Sequence, residues 1–165
     1  MKKLLKVTSL LALAVGSYGV YSAAQAVEQA LATKHVLEGT YNNNGTYTGG
    51  PVAADTYTPI DTELTVACPG TSGTCTIQAD MWIENGGESS SLNANIICLY
   101  VDGTPSSFCG AGTGETPSDG SYVQNSTSQA VTGLAHGNHT VQTYFYSFNG
   151  AKVAYYSSNY RVYKP

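Results

Sequence analysis

Apolar and polar residues alternate one by one through the middle of this chain. Between residues 75 and 84, Cys75, Ile77, Ala79, Met81 and Ile83 take one side, and Thr76, Gln78, Asp80, Trp82 and Glu84 the other. Side chains of an extended strand point to opposite faces in turn, so this period of two predicts a strand with one buried face. Residues 64–68 read as a shorter strand before it. Residues 94–101 read as a third, apolar on both faces at Ile96-Ile97-Cys98-Leu99-Tyr100-Val101, as a central strand covered on both sides would be. Residues 121–132 read as one or two polar strands. Residues 139–148 and 151–157 read as a pair joined by Asn149-Gly150, a dipeptide that favours the type I′ hairpin turn. That hairpin would set Phe148 opposite Ala151, Tyr146 opposite Val153 and Tyr144 opposite Tyr155. Residues 160–163 would be the last strand. About eight short strands, Gly/Asn turns and no helical period in the middle predict an all-β antiparallel sandwich or barrel.

The first 26 residues break this pattern. Lys2, Lys3 and Lys6 precede an apolar run through Val15, and small residues lead to Ala24-Gln25-Ala26. A positive start, a short apolar stretch and an A-x-A site together read as a bacterial secretory signal peptide. No cysteine follows the site, so a lipid anchor at the new N-terminus is not expected. The expected organisation is a leader at 1–26, an arm with the first strand or strands at 27–60, and a β-sandwich domain at 61–165. Residues 27–39 read as a short helix or an extended arm. No stretch is long and apolar enough for a transmembrane helix. The expected location is therefore secreted, periplasmic or on the outer surface.

Export changes the reading of Cys68, Cys75, Cys98 and Cys109. Four cysteines in an oxidising compartment predict two disulfides, with three connectivities open. Local bridges are favoured, since Pro69-Gly70-Thr71-Ser72-Gly73-Thr74 and Asp102-Gly103-Thr104-Pro105 read as turns within the two pairs. Closing loops of this size contributes roughly 2.5–3 kcal/mol each. The spacings do not form the C-x₂-C pairs of a zinc site.

Charge narrows the partners. Beyond the leader stand Lys34, Lys152, Arg161 and Lys164 against eleven Asp/Glu. An acidic chain with scattered cations has no footprint for nucleic acid.

The segment Leu134-Ala135-His136-Gly137-Asn138-His139-Thr140-Val141 fits the pattern L-x-x-G-x-H-x-V. With the strands that follow, it resembles the closing corner of secreted bacterial immunoglobulin-like and jelly-roll β-sandwiches. The resemblance covers the last 35 residues or so. It implies a single antiparallel sandwich, of either subtype, and no particular activity. It also reads His136 and His139 as corner residues and not a metal pair.

Candidate chemistry is sparse. Gly110-Ala111-Gly112-Thr113-Gly114 lacks the strand-before, helix-after setting of a phosphate cradle. Asp80 and Glu84 share a strand face but lie about 13 Å apart, too far for a glycosidase pair by themselves. Asp102, Glu115 and Asp119 form no D-x-D-x-D-G calcium loop. No G-x-S-x-G elbow occurs. Neither catalytic residues nor metal or cofactor sites are expected. The thirteen tyrosines remain. Tyr pairs a large apolar ring with a polar tip, which suits wet interfaces and sugar stacking. The binding candidates are Trp82, Tyr144, Tyr146, Tyr155 and Tyr156.

The leading expectation is a non-enzymatic exported protein acting through its surface, as a structural or adhesive part of the envelope or extracellular matrix. Its partners would be glycan, another matrix protein or itself, and residues 27–50 could add a strand to a neighbour's sheet edge. The alternatives are a carbohydrate-binding module, with exposed rings beside Asn, Gln or Asp, and a small secreted hydrolase.

Overall fold

The alternation in the sequence becomes two antiparallel sheets packed face to face. The computed structural model describes residues 36–71, 73–87, 95–107, 109–112 and 121–164. The leader, the start of the arm and the loop at 113–120, with Glu115 and Asp119, lie outside them. Among the described residues there are ten strands: β1 (Val36–Thr46), β2 (Thr56–Pro59), β3 (Leu64–Cys68), β4 (Thr74–Gly87), β5 (Asn95–Val101), β6 (Thr104–Pro105), β7 (Gly110–Gly112), β8 (Tyr122–Ala135), β9 (Gly137–Ser147) and β10 (Ala151–Lys164).

Sheet A runs β1-β10-β4-β8. Sheet B has β9 and β5 at its centre. One side of β9 is shared end to end by β2 and β3, and the far side of β5 by β6 and β7. The ten strands thus fill eight positions, four per sheet. Leaving aside the breaks within a shared position, every step along the chain crosses to the other sheet except β5 to β6. Such wrapping is jelly-roll connectivity, and it resolves the two sandwich subtypes left open by the sequence.

The faces of β4 fall as the sequence predicts. Cys75, Ile77, Ala79, Met81 and Ile83 are all at most 2% exposed, and they meet Val66, Ile97, Leu99, Val141 and Phe145 of sheet B. Full burial of an aliphatic side chain contributes about 1.5–3 kcal/mol, so this layer is the main source of stability. Both disulfides are local: Cys68–Cys75 ties β3 to β4 across the sheets, and Cys98–Cys109 ties β5 to the start of β7.

Two side chains mend the broken positions of sheet B. Between β2 and β3, Asp61 stands in for a strand. Its Oδ1 accepts the Thr143 N–H at 2.7 Å, and its own carbonyl accepts from Gln142 at 2.8 Å. Between β6 and β7, Gln129 reaches across from β8. Its Oε1 accepts the Leu99 N–H at 2.9 Å and its Nε2 donates to the Ile97 carbonyl at 2.7 Å. A buried backbone group without a partner costs about as much as a lost hydrogen bond, so such substitutes are needed wherever a strand stops short.

The Asn149-Gly150 hairpin does not form. β9 belongs to sheet B and β10 to sheet A, so Phe148/Ala151, Tyr146/Val153 and Tyr144/Tyr155 are not pairs. Ala151 pairs instead with Gly87, Val153 with Asn85 and Tyr155 with Glu84. Type I′ geometry needs positive φ at both central residues. Here only Gly150 has it, at 79°, and the chain turns a corner between sheets. The type I′ signature appears at Asp102-Gly103, with φ of 52° and 72°, where Val101 pairs Thr104. Residues 151–157 and 160–163 are one strand, interrupted only by a bulge between Val153 and Tyr155. β1 lies beside β10 of its own chain as the edge strand of sheet A, so residues 36–46 spend one edge on their own sheet.

Candidate functional site

The pairing register assembles the outer face of sheet A from three strands distant in sequence. Trp82 of β4 stands between Ser157 of β10 and Ser126 of β8. In the next row Asp80 stands between Asn159 and Ser128. On the other side Glu84 stands between Tyr155 and Gln124. Each faces outward because its neighbours in sequence, such as Met81 and Ile83, are held in the core. The single tryptophan of the chain therefore sits half-buried in a field of small polar side chains.

A shallow depression of about 560 Å³ lies at this point, lined in part by Asp80, Trp82, Ser126, Ser128, Ser157 and Asn159. The volume falls in the range of small-ligand sites, roughly 300–1,000 Å³. Its polar wall is held in place. Asp80 Oδ2 takes the Arg161 guanidinium at 2.9 Å, and Asp80 Oδ1 accepts from Ser128 Oγ at 2.7 Å and from Gln78 Nε2 at 3.4 Å. The exposed ion pair contributes little stability, but it fixes where the carboxylate and guanidinium stand. Such a wall presents both donors and acceptors beside an indole, which suits a ligand with a flat apolar face and a rim of hydroxyls.

Four of the five sequence candidates divide between the two outer faces, and the fifth turns inward. Tyr155 joins Trp82 on sheet A and is 50% exposed. Tyr156 turns inward opposite Ile83 and packs against the core, and burial pushes its hydroxyl pKa up. Tyr144 and Tyr146 lie on the outer face of sheet B. There they meet Tyr57, Tyr100 and Phe148, none of which the sequence marked. Tyr57 becomes a neighbour only because β2 sets it opposite Tyr146. The serines, Asn159 and Arg161 around Trp82 were likewise unmarked. Their only sequence signal was a polar alternation in β8 and β10, and the strand order was needed to bring them to the tryptophan.

The charged side chains that the sequence singled out are separated. Asp80 is tied to Arg161 on sheet A, whereas Asp102 is bonded to His139 at the end of sheet B. His139 Nδ1 meets Asp102 Oδ2 at 2.7 Å and its Nε2 meets the Ala135 carbonyl at 2.8 Å. Both ring nitrogens face acceptors, which is the arrangement of an imidazolium. Burial pulls the His139 pKa down, but the Ala135 carbonyl and the Asp102 carboxylate outweigh it, and the net shift is upward. The hydrogen bond from His139 holds Asp102 below the usual carboxylate range. The Ala135 contact closes the corner between β8 and β9, and the Asp102 contact ties that corner to the turn between β5 and β6. Among the described residues no three His, Cys, Asp or Glu side chains gather as a metal site.

No protein-family model matches the chain, and no curated protein matches it. Among solved structures, the native structure of a family 35 carbohydrate binding module from Clostridium thermocellum is similar, with TM-score 0.32 and 15% identity. That match covers 76% of this chain and 97% of the module. The structure of infectious bursal disease virus, Gx strain, is similar with TM-score 0.34 and 10% identity, covering 79% of this chain and 31% of the viral one. Scores this low assign no function.

Proposed function

We propose that this is an exported, non-enzymatic protein that binds glycan through the outer face of sheet A, with Trp82 as the stacking platform. The reading rests on one observation: a half-buried indole set among Ser126, Ser157, Asn159 and the mutually bonded Asp80 and Ser128, at the rim of an open depression. A sugar ring has a flat face of C–H groups that packs on an aromatic ring, and equatorial hydroxyls that bond to a polar surround. Held side chains lower the ordering cost of binding. Glycan binding would also be the means by which such a protein adheres to an envelope or matrix, so it gives the adhesive expectation a mechanism.

Tryptophan fluorescence tests this directly, because the chain has one tryptophan. Soluble neutral polysaccharides (mixed-linkage β-glucan, galactomannan, xyloglucan, dextran) would be titrated into the purified protein and checked by affinity electrophoresis. At least one should shift the emission. Trp82→Ala should weaken retardation in the gel at least tenfold, with Trp82→Phe between the two. Unchanged retardation of Trp82→Ala in the matrix that retards the wild type would refute this use of the face.

A further inference from the structure

The outer face of sheet B carries a second aromatic surface that the Trp82 site does not use. Five rings form an unbroken chain there. Tyr144 stacks on Tyr100, with centroids 3.9 Å apart. Tyr100 neighbours Tyr57 at 6.3 Å, Tyr57 meets Tyr146 at 4.9 Å, and Tyr146 meets Phe148 edge-on at 4.9 Å. The rings come from β2, β5, β9 and the corner after β9, and their order follows from the register. Tyr57 stands opposite Tyr146, and Tyr100 stands opposite Gln142, two residues from Tyr144. Phe148 is 44% exposed and Tyr57 39% exposed.

Tyr146 donates its hydroxyl to Asp55 at 2.8 Å. The hydroxyls of Tyr57, Tyr100 and Tyr144 have no hydrogen-bond partner among the described residues. They do lie close together: burial, then the neighbouring Tyr57 and Tyr144, raise the Tyr100 pKa. The surface is therefore aromatic with a fringe of unengaged hydroxyls, and the one carboxylate bonded to it, Asp55, opposes an anionic ligand.

Area and hydroxyl chemistry bear differently on the kind of occupant. An aromatic side chain buries about 150–250 Å² when fully covered, and these rings are at most 44% exposed. Together they offer roughly 300–500 Å², close to the apolar share of an 800 Å² half-interface, so area by itself does not separate the occupants. The hydroxyls of Tyr57, Tyr100 and Tyr144 do, because covering them without partners is costly and the hydroxyl groups of a sugar supply those partners. An oligosaccharide of a few residues would be well matched.

We infer that the outer face of sheet B is a second binding site for neutral glycan, independent of Trp82. Taken with the Trp82 reading, on which this last step rests, the two sites lie on opposite faces of the sandwich. One molecule then grips two glycan chains and joins them. Linking two modest sites in one rigid body raises avidity for a polymer without any new contact.

The test uses the same polysaccharide panel with three readouts: light scattering for cross-linking, Trp82 emission for the first site, and sedimentation without glycan for self-association. The strip variants are Tyr57→Ser with Phe148→Ser, which alters the two most exposed rings, and Tyr100→Ser with Tyr144→Ser. Wild-type protein should raise scattering at least tenfold over protein alone. Both strip variants should keep the emission shift and lose that rise. Trp82→Ala should lose the rise and keep residual retardation in the affinity gel, which the strip variants abolish when combined with it. Undiminished cross-linking by both strip variants would overturn the second site and leave the Trp82 reading standing. Strip-dependent retardation with no emission shift would do the reverse. A wild-type dimer that the strip variants convert to monomer would assign the face to a second copy instead. Failure of the wild type to bind any of the panel would overturn both.

Discussion

Gln129 offers the sharpest test of how sheet B is completed. Its amide occupies the gap between β6 and β7, taking the Leu99 N–H at 2.9 Å, the Ile97 carbonyl at 2.7 Å and the Ser106 hydroxyl at 2.7 Å. Leu99 and Ile97 are fully buried, so neither group can turn to water when the amide is lost. Gln129→Leu keeps the volume and strands both. Each stranded group costs about 1–3 kcal/mol, and the better burial of Leu offsets part of the total. The expected net loss is about 2–4 kcal/mol, out of a typical domain stability of about 5–15 kcal/mol. With a urea slope of about 2 kcal/mol/M, the unfolding midpoint should fall by about 1–2 M. Gln129→Asn keeps the chemistry but lacks a methylene of reach, so it should lose nearly as much. Hydrogen exchange at the Leu99 amide provides the local readout, slow in the wild type and fast in both variants. A loss under about 1 kcal/mol with Leu99 still protected would refute the view that this amide replaces a strand. The consequence extends to binding, because β5 also carries Tyr100 of the aromatic strip.

Three further outcomes are expected. Tyr160 is fully buried and its hydroxyl bonds to Asp61 Oδ2 at 2.7 Å and Thr143 Oγ1 at 2.8 Å, so Tyr160→Phe should cost about 1–3 kcal/mol in urea unfolding; a neutral result would show that this buried network is not needed. Because the folded His139 pKa is raised, its contribution to stability is fully present below the ordinary value of about 6.5 and is lost as pH rises through the folded value. Asp102, lowered by the same bond, contributes above about pH 3.9 and loses that contribution as pH falls through its folded value. Melting temperature between pH 5 and 9 should thus decline on the alkaline side in the wild type and stay flatter in His139→Asn; equal slopes would exclude the pair as the cause. Gly150 has φ of 79° and a Cβ there would stand 3.2 Å from the Val52 carbonyl oxygen, so Gly150→Ala should cost at least about 1–2 kcal/mol in urea unfolding; an unchanged midpoint would contradict the corner geometry.

How much of this was legible beforehand follows from the range of each interaction. Residues 75–84 announced a strand and its buried face, because alternation of side chains is a property of the extended backbone itself. Cys68/Cys75 and Cys98/Cys109 announced local bridges, because the residues between them turn the chain back within a few positions. Pairing was another matter. Asn149-Gly150 carries the strongest local hairpin signal in the sequence, yet β9 and β10 part into different sheets. A turn dipeptide lowers the cost of one local geometry. In β9 that preference was outweighed by the burial gained when the strand packs against β5, β2 and β3.

The candidate site shows the same division. Trp82 and Tyr144 could be named from the sequence, since a large ring on an outward or ambiguous position stands out. What surrounds them could not. Ser126 and Ser157 flank Trp82 only because β8 and β10 both pair with β4, in a register that no local pattern encodes. By itself the sequence determined where the central strands lie and how their side chains alternate, and it favoured local disulfides, all consequences of geometry over a few residues. The tertiary structure alone decided which strands are neighbours, and hence which faces become surfaces, because that choice is made by closing one shared core rather than by any segment alone.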